Sequence, residues 1–94
     1  MKKTLDSVNL SCSQGTSIEV KVGDQVTFID PQKIPEAKKK RTQELMIKST
    51  EKVLGPQPYR IAEINLYPSG STLLALEGRE QVTEEVNIIY LTKA

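Results

Sequence analysis

Residues 18–28 read Ile18-Glu19-Val20-Lys21-Val22-Gly23-Asp24-Gln25-Val26-Thr27-Phe28. Ile18, Val20 and Val22 alternate with Glu19 and Lys21, and Val26 and Phe28 alternate across Thr27. Apolar residues at period two in short β-branched runs are the signature of half-buried strands. Between the runs, Gly23-Asp24-Gln25 reads as a three-residue connection. That register sets Val22 opposite Val26 and Val20 opposite Phe28, whereas a two-residue Gly23-Asp24 turn would bury a mismatched face.

Upstream, Val8, Leu10 and Cys12 face one way with Asn9 and Ser11 opposite, and Ser13-Gln14-Gly15 reads as a turn. This adds a strand at residues 8–12. Downstream, Tyr59 to Leu66 carries Ile61, Ala62, Ile64 and Leu66, followed by the turn Pro68-Ser69-Gly70-Ser71. Thr72 to Glu77 returns as a hairpin strand, Gly78-Arg79 turns again, and Val86 to Thr92 forms a closing strand. Leu73-Leu74-Ala75-Leu76 and Ile88-Ile89-Tyr90-Leu91 are apolar on both faces, as strands at barrel seams or under a covering segment are.

The middle, Pro31 to Pro58, differs. It holds four of the five prolines and the basic run Lys38-Lys39-Lys40-Arg41. Pro35-Glu36 suits a first helical turn, and Gly55-Pro56 stops a helix. Ala37, Arg41 and Leu45 share one helical face, as do Met46, Val53 and Leu54. With so few apolar positions, the expectation is a helical turn or short helix within a long loop over residues 31–57.

Five or six short strands at this spacing most economically form one small antiparallel barrel over residues 1–94. Val22-Gly23-Asp24-Gln25-Val26-Thr27-Phe28 followed by a long loop resembles the opening of Src-homology-3-like barrels. Tyr59-Arg60-Ile61-Ala62-Glu63-Ile64 and the hairpin into Leu73–Leu76 resemble their central strands. The resemblance spans residues 18–92 and implies a mostly β fold and, by analogy, a binding role. An oligonucleotide-binding-type barrel is the alternative topology.

With no histidine and one cysteine in 94 residues, imidazole-based triads, imidazole zinc sites, thiolate clusters and Cys-x-x-Cys pairs are excluded. There is no phosphate loop and no calcium-loop spacing. Glu84 and Glu85 are adjacent, so on a strand they point to opposite faces and cannot share a site. The reading is a non-enzymatic protein without cofactor or metal. Cys12 reads as a small half-buried strand residue, since no histidine is present to activate it.

The net charge of +1 excludes a histone-like nucleic-acid binder, but the charge is unevenly placed. Residues 31–58 carry seven cations (Lys33, Lys38, Lys39, Lys40, Arg41, Lys48 and Lys52) against Glu36, Glu44 and Glu51, a net of +4. The segment before carries −1 and the segment after −2.

Two contact surfaces follow: a basic one at Lys38, Lys39, Lys40, Arg41, Lys48 and Lys52, and an acidic one at Glu77, Glu80, Glu84 and Glu85. The first expectation is a protein-interaction module that binds one larger partner, as accessory or inhibitory proteins of phages and mobile elements do. The alternative is nucleic-acid binding, with the basic residues on phosphates. Aromatics make up only 4% of the chain, and none flanks the basic run for base stacking. Pairing through a Val8–Cys12 edge strand would give a homodimer. No apolar run approaches membrane-spanning length and no signal core follows Met1-Lys2-Lys3, so the expected location is cytoplasmic, off the membrane.

Overall fold

The computed structural model describes residues 2–11 and 17–94. Cys12 and the turn at residues 13–15 lie outside the described residues. The fold is mostly β: eight strands, all antiparallel, and one α-helix among the described residues. The strands are β1 (Lys3–Leu5), β2 (Ser7–Ser11), β3 (Ser17–Lys21), β4 (Gln25–Phe28), β5 (Tyr59–Leu66), β6 (Thr72–Glu77), β7 (Thr83–Asn87) and β8 (Leu91–Lys93). The helix, α1, spans Ala37–Leu54.

β5 organises the main sheet, whose strand order is β7-β6-β5-β4-β8. The path ends at β7 and β8 without closing. One edge of β5 pairs with β6 along its length, interrupted by a bulge between Ile61 and Glu63. Two strands share the other edge end to end: β4 at Tyr59 and Arg60, and β1 at Ile64 to Leu66. The turn before β4 fills the gap between them. Gly23 N–H donates to the Ile61 carbonyl and Ile61 N–H to the Asp24 carbonyl, both at 2.8 Å.

That turn corrects the expected β3–β4 register: the two strands do not pair with each other. β3 pairs with β2, setting Val8 opposite Val20 and Leu10 opposite Ile18, while β4 pairs with β5 and β8. The physical reason is a tight corner. Asp24 N–H donates to the Lys21 carbonyl at 3.0 Å, the Asp24 carboxylate accepts from Lys21 N–H at 2.9 Å, and Gly23 takes a φ of 100°. A β-branched residue would be strained at that φ, and glycine is not. The chain leaves the β2–β3 hairpin for the main sheet at this corner, so Val22 is 45% exposed instead of packing on Val26.

The hairpin's apolar face covers β8 and the turn preceding it. Leu10 and Val20 thereby join Val26, Phe28, Ile61, Ile64, Leu74, Leu76 and Leu91 in one core. Phe28 and Tyr59 meet edge to face, with ring centroids 6.4 Å apart.

The helix is also longer than the expected short helical turn. Its residues are mostly good helix formers, and Gly55, with a φ of 93°, ends it by donating its N–H to the Glu51 carbonyl. Its buried residues are Gln43, Thr50 and Leu54, with Met46 and Ile47 packed partly against the core. Leu45 and Val53, which the sequence marks as face residues, are 56% and 46% exposed.

The C-terminal end of α1 presses on the β6–β7 connection. A Cβ on Gly78 would lie 2.3 Å from the Leu54 carbonyl oxygen, so only glycine fits there. The expected closing strand Val86–Thr92 is interrupted: Ile88–Tyr90 forms a 3-10 turn between β7 and β8. Asn87 caps this turn through its side-chain oxygen, which accepts from Ile89 N–H at 3.1 Å. No helix among the described residues is long and apolar enough to cross a membrane.

Candidate binding groove

The N-terminal half of α1 stands against the end of β4 and the Ile88–Tyr90 turn, leaving a groove of about 580 Å³. Ile29, Ile34, Ile89 and Tyr90 give it an apolar wall, and Glu36, Lys38, Lys39 and Thr42 line the helix side. Two local features of the sequence build that wall. Asp30 caps a short 3-10 turn at Pro31–Lys33, which carries Ile34 back toward the helix. The capped turn after Asn87 lifts Ile89 outward, where it is 64% exposed.

Gln43 joins the two sides and is only 1% exposed. Its Nε2 donates to the carbonyls of Ile29 and Tyr90, each at 3.0 Å. These bonds fix the amide, since flipping it would set Oε1 against two carbonyl oxygens. Oε1 is left buried and without a hydrogen-bond partner among the described residues. An unmet buried acceptor costs about 1–3 kcal/mol. The α1 N-terminus is also uncapped: Glu36, at the cap position, makes no side-chain cap bond and instead pairs with Lys39 at 3.4 Å. Among the described residues, no side-chain acceptor meets the first-turn N–H groups at the positive end of the helix dipole.

The structure divides the basic residues of the sequence reading. Lys38 and Lys39 line the groove. Lys40 lies half-buried, turned from the outer face. At helical spacing Arg41, Lys48 and Lys52 fall on the face opposite Gln43 and Leu54, with exposed Leu45 among them and Lys38 at the edge of that face nearest the groove. None of these four forms an ion pair among the described residues.

The acidic set is not one surface. Glu77 pairs with Arg60 at 3.2 Å, and Glu80 is exposed in the β6–β7 turn with a φ of 56°. Glu85 on the outer face accepts from the Tyr67 hydroxyl, while Glu84 is half-buried on the same side as Val86. Glu84 Oε2 has no partner among the described residues. Beside it the Tyr59 hydroxyl donates to the Gly55 carbonyl at 2.7 Å. Burial, with smaller effects of Glu51 and Glu84 opposed by Arg79, pushes the Tyr59 pKa up to about 12.

β2 pairs only with β3 among the described residues, so the expected edge position of this strand is present over residues 7–11. Ile34, Thr42, Gln43, Ile89 and Tyr90 escaped sequence reasoning as site residues. The one available signal was the doubly apolar run at Ile88–Leu91, in which one isoleucine is left without a partner. No protein-family model matches this chain, and neither does any curated protein or solved structure.

Proposed function

We propose that this protein is a non-enzymatic protein-interaction module whose contact site is the groove between α1 and the Ile88–Tyr90 turn. The observation that carries the reading is Ile89, a large apolar side chain held out by a capped turn beside Lys38 and Lys39. Apolar surface flanked by fixed polar groups is what short peptide segments dock against. The scaffold reading is a small Src-homology-3-like barrel. The β5-β6-β7 meander, with β8 returning to pair with β4, supports it. The experiment is selection of a random peptide library on the native chain and on the Ile89→Asp variant. Peptides enriched on the native chain, and lost on the variant, are expected. Enrichment that is identical on both proteins would remove the groove from the reading.

A second reading has its own observation. Lys38, Arg41, Lys48 and Lys52 on one exposed face span 15 residues of helix, about 21 Å from first to last at 1.5 Å per residue. That length tracks several phosphates of a nucleic acid, and the reading predicts binding that weakens steeply with salt.

A further inference from the structure

We propose that β2 pairs antiparallel with β2 of a second copy of this chain, joining the two β2–β3 hairpins into one continuous sheet. The groove takes no part in this contact. In an antiparallel pair, alternate residues turn their N–H and C=O groups toward the partner strand and away from it. Two bonds at the base of the hairpin set that phase. Val22 N–H donates to the Asp6 carbonyl at 3.4 Å, while Lys21 N–H, opposite Ser7, turns from β2 to the Asp24 carboxylate at 2.9 Å. Val8 and Leu10 are therefore bonded to β3, and the backbone groups of Ser7, Asn9 and Ser11 point out along the free edge. Among the described residues no other backbone bonds to them.

The occupant follows from the charge along each open edge. β1, β3, β7 and β8 also leave an edge unpaired among the described residues. β1 and β8 have three residues each and carry Lys3 and Lys93. Glu19 stands at the centre of β3 and Glu85 at the centre of β7, so either strand paired with its own copy about its centre sets carboxylate against carboxylate. Charges of this kind keep edges from pairing. β2, Ser7-Val8-Asn9-Leu10-Ser11, has no charge, proline or bulge. Pairing about a two-fold axis at Asn9 sets Ser7 opposite Ser11 of the second copy, Asn9 opposite Asn9 and Val8 opposite Leu10. Every outward N–H and C=O then gains a partner, and like faces meet, Val8 and Leu10 toward the core and Asn9 toward water. The hairpin is otherwise a sheet of two strands, which further strands stabilise.

A pairing of five residues falls below the roughly 1,200 Å² of stable interfaces, so the dimer forms reversibly with concentration. The test is sedimentation equilibrium of the full chain from micromolar to millimolar concentration, with amide exchange of Ser7, Asn9 and Ser11 followed over the same range. The expected result is a monomer–dimer equilibrium in which these three amides become protected as the dimer forms, whereas Val8 and Leu10 are protected at every concentration. Asn9 is exposed, so Asn9→Lys and Asn9→Thr both leave the core as it is. Asn9→Lys sets two cations face to face at the axis and is expected to raise the dissociation constant about fivefold or more, while the neutral Asn9→Thr keeps the dimer. A chain that stays monomeric at millimolar concentration would overturn the inference. So would a dimer that is indifferent to Asn9→Lys, or one that forms while the three amides stay open. Neither result bears on the groove, which the peptide selection tests separately.

Discussion

Gln43 and Tyr59 both place a polar group inside an apolar core, with different results. The Tyr59 hydroxyl finds the Gly55 carbonyl, while its ring packs edge-on against Phe28. Its neighbourhood disfavours the phenolate, because burial and two nearby carboxylates all resist a negative charge. The folded state therefore holds the phenol proton more tightly than the unfolded chain does. The stability this contributes is fully present below pH 10, the unfolded value, and is lost as pH rises toward about 12. Urea unfolding of the native chain and of Tyr59→Phe between pH 9 and 12 is expected to show the native chain losing more stability over that range. Every other group is common to the two proteins, so the difference between them is the quantity that isolates Tyr59. Parallel curves would mean that the hydroxyl ionises as freely in the fold as out of it.

Among the elements, α1 carries the most instructive mismatch between pattern and packing. An amphipathic helix declares itself through apolar residues at three- and four-residue spacing. Here two of the three buried positions are Gln43 and Thr50, while Leu45 and Val53 face water. Gln43 faces inward because its amide bridges the carbonyls of Ile29 and Tyr90, two groups distant in sequence that no local pattern reveals. Truncating Leu54 to Ala is therefore expected to cost about 2–5 kcal/mol. Leu45→Gln should change stability by less than about 0.5 kcal/mol. Chemical denaturation measures both, and a larger loss at Leu45 would reverse the assigned faces.

The strands were more legible. The runs at Tyr59–Leu66 and Thr72–Glu77 match β5 and β6, because alternation and flanking turn residues are local signals. The β3–β4 connection was not legible. Whether two strands joined by a tight turn pair or part depends on what awaits each of them, and here the open β5 edge takes β4 and the turn. The groove was hidden for the same reason, since its walls come from residues 29–43 and 89–90 and meet only in the tertiary fold.

Across the whole molecule the charge sums to +1, yet the fold sorts it. The acidic residues of the C-terminal third are dispersed over two sheet faces, with Glu77 paired and Glu85 hydrogen-bonded. Four cations remain on the outer face of α1, and the exposed Glu44, at helical spacing from Arg41 and Lys48, forms no ion pair with them among the described residues. If that face binds phosphates, the effect of salt counts the contacts. Four neutralised phosphates give a slope of log affinity against log salt of about −3.6, so affinity falls roughly a hundredfold between about 50 and 200 mM. Replacing Arg41, Lys48 and Lys52 with Gln leaves Lys38 and the groove untouched, and the slope should shrink to about −1. Anisotropy with labelled single- and double-stranded DNA and RNA measures both slopes. A steep slope that survives the triple substitution would place the phosphates elsewhere on the molecule. No binding at low salt would leave the outer face of α1 as a solvated surface and retire the nucleic-acid reading.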